Sequence, residues 1–134
     1  MAFPTYTSWL TGDVLTASGV NAIATNVNLL AYLPTNPQTG TSYTLALTDV
    51  AYIVEMNNAS ANTVTVPPNS SVAFPVGSQL IVLQTNTGQT TIAAGSGVTI
   101  NSSGSKLKLT GQWSAATLIK RATNTWVLVG DITA

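Results

Sequence analysis

The sequence predicts a mainly β protein: an N-terminal extended arm and one amphipathic helix, followed by an antiparallel β-sandwich or small barrel. From residue 43 onward, short runs of β-branched and aromatic residues alternate with clusters of Gly, Pro, Asn and Ser. No helical pattern separates these runs, which argues against a parallel α/β sheet. The chain has 134 residues, enough for one domain with an arm.

The arm covers residues 1–15. Its large apolar side chains have a spacing that fits neither a helix nor a strand: Phe3, Tyr6, Trp9 and Leu10. Aromatic side chains of this size are unfavourable in water, because each offers on the order of 150–250 Å² of buriable surface. We therefore expect the arm to pack either on its own domain or on a partner.

The helix is predicted over residues 16–33, with Thr16 as its N-cap. Its apolar side chains recur at spacings of three, four and three: Val20, Ile23, Val27 and Leu30. Pro34 ends it, because proline cannot continue a helix. The apolar stripe can lie on the helix's own domain or pack against its copies in an oligomer. Residues 1–33 are thus predicted to serve in anchoring and oligomerisation.

Residues 34–42 have the composition of a linker, and residues 43–134 form the predicted β domain of eight to ten strands. Asn62–Val66 alternates apolar and polar residues, as a half-buried strand does. Gln79–Gln84 contains four consecutive apolar residues, which predicts a strand in the middle of a sheet.

Composition excludes several classes of function. Only 6% of residues are charged and the formal net charge is zero, so neither nucleic acid nor an anionic membrane is an expected partner. The chain has no Cys and no His, which removes disulfides, thiolate metal sites and histidine catalysis. No cofactor is expected. A neutral surface promotes association, so this composition suits a component of an assembly.

The few candidate reactive groups favour structural roles. Asp49 and Glu55 are six residues apart and would share a face of a continuous strand, an arrangement that a glycoside-cleaving carboxylate pair could use. Isolated structural carboxylates are the simpler interpretation, and no enzymatic activity is predicted. Lys120 and Arg121 are expected at a solvated strand end. Trp113 and Trp126 either stack on a sugar ring or belong to the core or to an interface.

Several segments resemble parts of tailed-bacteriophage structural proteins. In Trp9–Ala17 a Trp, a Gly-Asp pair and Leu-Thr-Ala lead toward a helix, although Ser18 and Gly19 replace the more usual Ala-Asp pair. The later segments look like the repeating parts of a β domain from phage virion appendages: Val54–Asn57, Ala61–Asn69, Phe74–Gln79, Gly88–Val98 and Trp126–Asp131.

The resemblance implies a non-enzymatic structural component on the exterior of a phage particle. The length of 134 residues, short for a fibre shaft with a tip, favours a capsid decoration or cement protein anchored by its N-terminal segment, and the resemblance favours a homotrimer. The major capsid protein or tail proteins would be its partners. The alternative is a short tail fibre or receptor-binding adhesin that recognises a glycan on the host surface.

Overall fold

A computed structural model of the protein describes residues 32–134. Within this range, Thr35–Ala134 form one compact unit. The residues predicted to anchor the protein or form its oligomer interface lie outside the described residues: Phe3, Tyr6, Trp9, Leu10, Val20, Ile23, Val27 and Leu30. None of the helices in the described range is long and apolar enough to cross a membrane.

The described residues contain eleven strands and two short 3₁₀ turns. The strands are β1 (Thr35–Gln38), β2 (Ser42–Thr44), β3 (Ile53–Met56), β4 (Asn62–Val66), β5 (Gln79–Gln84), β6 (Thr90–Ala94), β7 (Thr99–Ser102), β8 (Lys108–Leu109), β9 (Ala115–Ala122), β10 (Thr125–Gly130) and β11 (Ile132–Thr133). The 3₁₀ turns are Leu47–Asp49 and Ser103–Ser105. The chain is mainly β, as its sequence predicts.

The strands form two mixed sheets. The first sheet has six strands in the order β1-β3-β5-β9-β10-β7, and the second has five in the order β11-β8-β6-β4-β2. From β1 to β6 the chain alternates between the sheets, so these six strands make three successive two-stranded coils. Equivalent residues of the three coils lie side by side: Gln38, Met56 and Gln84 in the first sheet, and Tyr43, Val64 and Ile92 in the second.

The pairing directions differ from the expected antiparallel arrangement. Five of the nine strand pairs in the described range are parallel and four are antiparallel. Parallel neighbours need a crossover connection between them. In four of the five parallel pairs the crossover is a single strand of the opposite sheet, and between β7 and β10 it consists of β8 and β9. A chain without predicted helices in this region therefore still forms parallel pairs.

One hydrophobic cluster joins the two sheets. It includes Val54, Val82 and Leu118 from the first sheet, together with Val64 and Ile92 from the second. These side chains come from alternate strand positions, because successive residues of a strand point to opposite faces. The core therefore lies between the sheets, as in a sandwich.

The segment predicted as a linker contains strand structure. β1 occupies Thr35–Gln38 within it, and β2 begins at Ser42. β1 is an edge strand that pairs with β3. Its Pro37 has no N–H, and edge strands tolerate proline because one side of their backbone needs no ladder partner. A composition typical of linkers is thus compatible with the first coil of the fold.

Candidate functional site

The turn between β8 and β9 is fixed to the end of β5. The Trp113 backbone N–H donates to the Gln84 carbonyl at 2.7 Å, and the Gln84 N–H donates to the Ser114 carbonyl at 3.0 Å. Within the turn, the Gly111 N–H donates to Ser114 Oγ at 3.1 Å. Ser114 is buried, so interior contacts hold the turn that carries the exposed Trp113.

Trp113 combines high exposure with an unfavourable backbone conformation. Its side chain is 70% exposed, the highest value among the large apolar residues of the described range. Its φ is +69°, in the left-handed region that bulky residues seldom adopt. The fold gains little from a ring left in water, and the backbone conformation costs free energy. Trp113 is therefore the strongest candidate for a functional surface residue.

A row of amide side chains begins at Gln112, the residue before Trp113. We call Gln112, Asn86 and Asn57 the amide row. Gln112 Nε2 donates to the Thr85 carbonyl at 3.1 Å, and Asn86 Nδ2 donates to Asn57 Oδ1 at 2.9 Å. The row crosses the ends of β9, β5 and β3, and neighbouring strands lie about 4.8 Å apart. It therefore spans roughly 10 Å, counted as two strand spacings.

The amide row retains hydrogen-bonding capacity. An amide side chain offers two N–H donors and two acceptor lone pairs. Gln112 uses one donor within the described residues, and Asn86 uses one donor while its Oδ1 accepts from the Thr87 N–H. Each therefore has a further N–H for a ligand. No residue of the row carries a formal charge.

A buried polar network supports the row from below. Thr90 Oγ1 donates to Asn62 Oδ1 at 2.7 Å, and the Thr90 N–H donates to Gln84 Oε1 at 3.0 Å. Gln84 Nε2 in turn donates to the Asn86 carbonyl at 2.9 Å. These hydrogen bonds join the second and third coils at the turns that carry Asn57 and Asn86. The network stabilises the fold, and it fixes the turns that carry Asn57 and Asn86.

Trp126, the other tryptophan considered for sugar contact, is 1% exposed. It packs edge-to-face against Phe74, with ring centroids 5.3 Å apart. Its inward position in β10 leaves no free ring face, so Trp126 belongs to the core and is removed from the possible glycan contacts. Trp113 alone of this pair is available at the surface.

The two carboxylates considered as a pair lie in different elements. Asp49 ends the 3₁₀ turn Leu47–Asp49 and is buried, whereas Glu55 lies in β3 and is half-buried. The two carboxylates therefore do not lie on one continuous strand, as the alternative of a catalytic pair assumed. Asp49 accepts hydrogen bonds from Asn36 Nδ2, the Tyr43 hydroxyl and the Ala46 N–H, each at 2.8 Å. This carboxylate organises the first coil.

These surroundings change the pKa of the Tyr43 hydroxyl. Burial raises the pKa of Tyr43 above its ordinary value, and the hydrogen bond to Asp49 and its negative charge act in the same direction. The hydrogen bond from Asn36 opposes them by lowering the pKa. Tyr43 therefore stays protonated, as the donor to Asp49, up to a higher pH than an ordinary tyrosine.

Lys120 is buried rather than solvated, with 2% of its surface exposed. Nζ donates to Asn69 Oδ1 at 2.5 Å and to the Phe74 carbonyl at 2.6 Å. The alternation in β9 contains the signal for this position, since Ala116, Leu118 and Lys120 share the inward face. Arg121, on the opposite face, is exposed as expected.

Among residues 32–134, no group of three or more acidic residues is placed to hold a metal ion. No family model matches the chain, and no curated protein matches it. The exposed ring of Trp113, the amide row and the hydrogen-bonded turns beneath them form the candidate site.

Proposed function

We propose that the chain is a non-enzymatic structural component of a tailed-phage particle, acting as a capsid decoration or cement protein on its exterior. In this proposal residues 1–33 attach the protein to the major capsid protein, and the β unit projects from the particle. The resemblance of Trp9–Ala17 and of the β segments to phage virion proteins is the sequence support.

The observation that carries the proposal is the self-contained β unit Thr35–Ala134, which holds a core of its own between two sheets. A unit of this kind can be displayed by a separate attachment segment without losing its packing. Two of its ionisable groups, Asp49 and Lys120, make hydrogen bonds that stabilise loops, a use typical of a structural module.

Imaging of phage particles that carry a tagged copy of the full chain tests this proposal. We expect density at regular positions of the capsid lattice. A particle lacking the gene product should keep its tail but lose capsid stability on heating or at low salt. Label confined to the tail would contradict the capsid assignment.

A second candidate function is that of a short tail fibre or receptor-binding adhesin for a host-surface glycan. The exposure of Trp113 beside the amide row favours it. Label at the tail, together with reduced adsorption of particles that lack the protein, is the expected result for this function.

Under either function the protein is proposed to act as a homo-oligomer, with a trimer favoured by the resemblance. The low charge of the chain supports association, because neutral surfaces repel one another weakly. Native mass spectrometry of the full chain at micromolar concentration is expected to give a trimer. A monomer in solution, with no three-fold density on the particle, would contradict it.

A further inference from the structure

We infer that Trp113 and the amide row form a binding site for an uncharged oligosaccharide. The inference deepens the second candidate function, on which it rests, by naming the residues and the chemical class of the ligand. Three features of the described structure carry it: the strain and exposure of Trp113, the hydrogen-bonding capacity of the amides, and the lack of charge in the row.

The conformation of Trp113 indicates a role outside folding. A left-handed φ of +69° favours glycine, and a 70% exposed ring returns little burial energy to the fold. The turn itself is held by backbone bonds to Gln84 and by the Ser114 side chain, which do not need the indole. An unfavourable conformation that the surrounding structure imposes on an exposed aromatic residue is typical of ligand contacts.

The neighbouring groups match the chemistry of a sugar. A pyranose ring has a face of C–H groups that packs on an aromatic ring and a rim of hydroxyls that exchange hydrogen bonds with amides. Trp113 offers the first contact, and Gln112 and Asn86 offer further N–H donors for the second. The roughly 10 Å length of the row, as two strand spacings, suits more than one ring.

The lack of charge sets the class of glycan. Carboxylate and sulfate groups are recognised chiefly by Arg and Lys, whose charged hydrogen bonds are about twice as strong as neutral ones. Neither residue type occurs in the segments that carry Trp113 and the amide row, residues 55–60, 84–90 and 110–116. A sialylated, uronate-containing or sulfated glycan would therefore gain no ion pair from the row. A neutral glycan needs no ion pair, so its binding does not depend on a cationic side chain.

A protein partner fits the surface less well. Residues that dominate protein interfaces are surrounded by contacts that exclude water, and aromatic and apolar residues are enriched at the centre of such interfaces. Trp113 is instead accompanied by Gln112, Thr85 and Asn86, all polar and at least partly exposed. The polar surroundings favour a ligand that itself carries many hydroxyls.

Binding of the full chain to an array of neutral hexose and N-acetylhexosamine oligosaccharides, with sialylated, uronate-containing and sulfated ones beside them, tests the inference. We expect binding to at least one neutral oligosaccharide. Trp113→Gly should weaken that binding at least tenfold in calorimetric titration while leaving the melting temperature unchanged or higher, since glycine relieves the left-handed strain. Gln112→Ala should weaken binding several-fold, and Val76→Ala, which trims an exposed apolar residue elsewhere, should change nothing.

Four results would overturn the inference. They are no binding to any neutral oligosaccharide, a preference for the acidic ones, binding that survives Trp113→Gly, and a lower melting temperature of this variant. Loss of oligomers or of particle attachment in Trp113→Gly, without glycan binding in the parent, would assign Trp113 to a protein contact. Imaging of the particle tests the location separately, so the adhesin function and the glycan site can fail independently.

Discussion

The ammonium nitrogen of Lys120 lies 2.5 Å from the side-chain oxygen of Asn69, a residue 51 positions earlier in the chain. Together with the bond from Lys120 to the Phe74 carbonyl, this contact fastens the long connection between β4 and β5 to the inward face of β9. A lysine is seldom fully buried, and here two oxygen acceptors take the place of water.

Replacing Lys120 by Ala is expected to lower the free energy of unfolding by about 3 kcal/mol, because it leaves a cavity and two acceptors without their donor. Arg121→Ala is the matched control, since Arg121 is the next residue and is exposed. Urea unfolding of both variants measures the difference. Equal stability of the two variants would show that the buried contact contributes nothing.

The Tyr43 hydroxyl makes the free energy of unfolding depend on pH in the alkaline range. Its pKa is raised in the folded state, so its contribution is complete below about pH 10, the ordinary tyrosine value. That contribution is lost as the pH rises through the higher pKa of the folded protein. Tyr43→Phe should cost about 1–2 kcal/mol at pH 7, because Asp49 loses a donor, and should reduce the alkaline loss.

Urea unfolding from pH 7 to pH 11 measures both effects of Tyr43→Phe. Tyr52→Phe is the control, since no hydrogen bond of the Tyr52 hydroxyl occurs within the described residues. We expect Tyr52→Phe to retain the stability of the parent protein at pH 7, because it removes no hydrogen bond among the described residues. An alkaline loss that is the same in Tyr43→Phe and in the parent would contradict the assignment to Tyr43.

Gly88 allows two coils to approach closely. A Cβ built at this position would lie 2.0 Å from the Ser60 carbonyl oxygen, and a backbone atom cannot move aside as a flexible side chain can. Gly88→Ala should therefore lower the free energy of unfolding by about 3 kcal/mol or more. At Gly40 a Cβ would have ordinary contacts, with Ser42 O at 3.6 Å, so Gly40→Ala should be well tolerated by comparison. Thermal unfolding followed by circular dichroism distinguishes the two variants.

Deletion of residues 1–33 should leave a protein that folds on its own. The core cluster and all eleven described strands lie within Thr35–Ala134, a length sufficient for a two-layer core. We expect a β-type circular dichroism spectrum and one cooperative unfolding transition. A product without a transition would show that the N-terminal segment completes the core.

Attachment to the particle is predicted to depend on Tyr6 and Trp9. Their combined buriable area is on the order of 300–500 Å², and attachment through them requires dense packing on a partner or a neighbouring subunit. Replacing both by Ala should strip the protein from particles without changing the melting temperature of the β unit. Leu47→Ala, at an exposed apolar residue of the β unit, is the control for attachment. Full occupancy of the double variant would place the attachment surface in the β unit.

Local patterns in the sequence predict strands well. Asn62–Val66 and Gln79–Gln84 have the predicted bounds, and β5 is an inner strand of its sheet, as its apolar run indicates. These patterns depend on which faces of a strand are buried, and that information lies within a few consecutive residues. They carry no information on direction, because parallel and antiparallel strands with the same burial have the same alternation.

The candidate site is only partly predictable from the sequence, because local patterns do not show which distant segments pair. Trp126 alternates with Leu128 in β10, which is consistent with its place in the core. Trp113 lies in a turn after Gly111, where no alternation assigns it to a face. Its left-handed φ and its link to Gln84 depend on a pairing between β5 and β9 that joins distant parts of the chain. The amide row likewise arises only when the coils stack.

The order in which the strands can pair follows from their topology. Of the nine strand pairs in residues 32–134, only β9 and β10 join neighbours in sequence, through a two-residue turn at Thr123 and Asn124. Asn124 has φ +58°, a conformation that asparagine accepts more readily than most residues. Every other pair must close a longer loop, and chains dominated by such distant contacts fold slowly. The β9–β10 hairpin therefore has the smallest loop-closure cost of the nine pairs, and we expect it to form before the three coils.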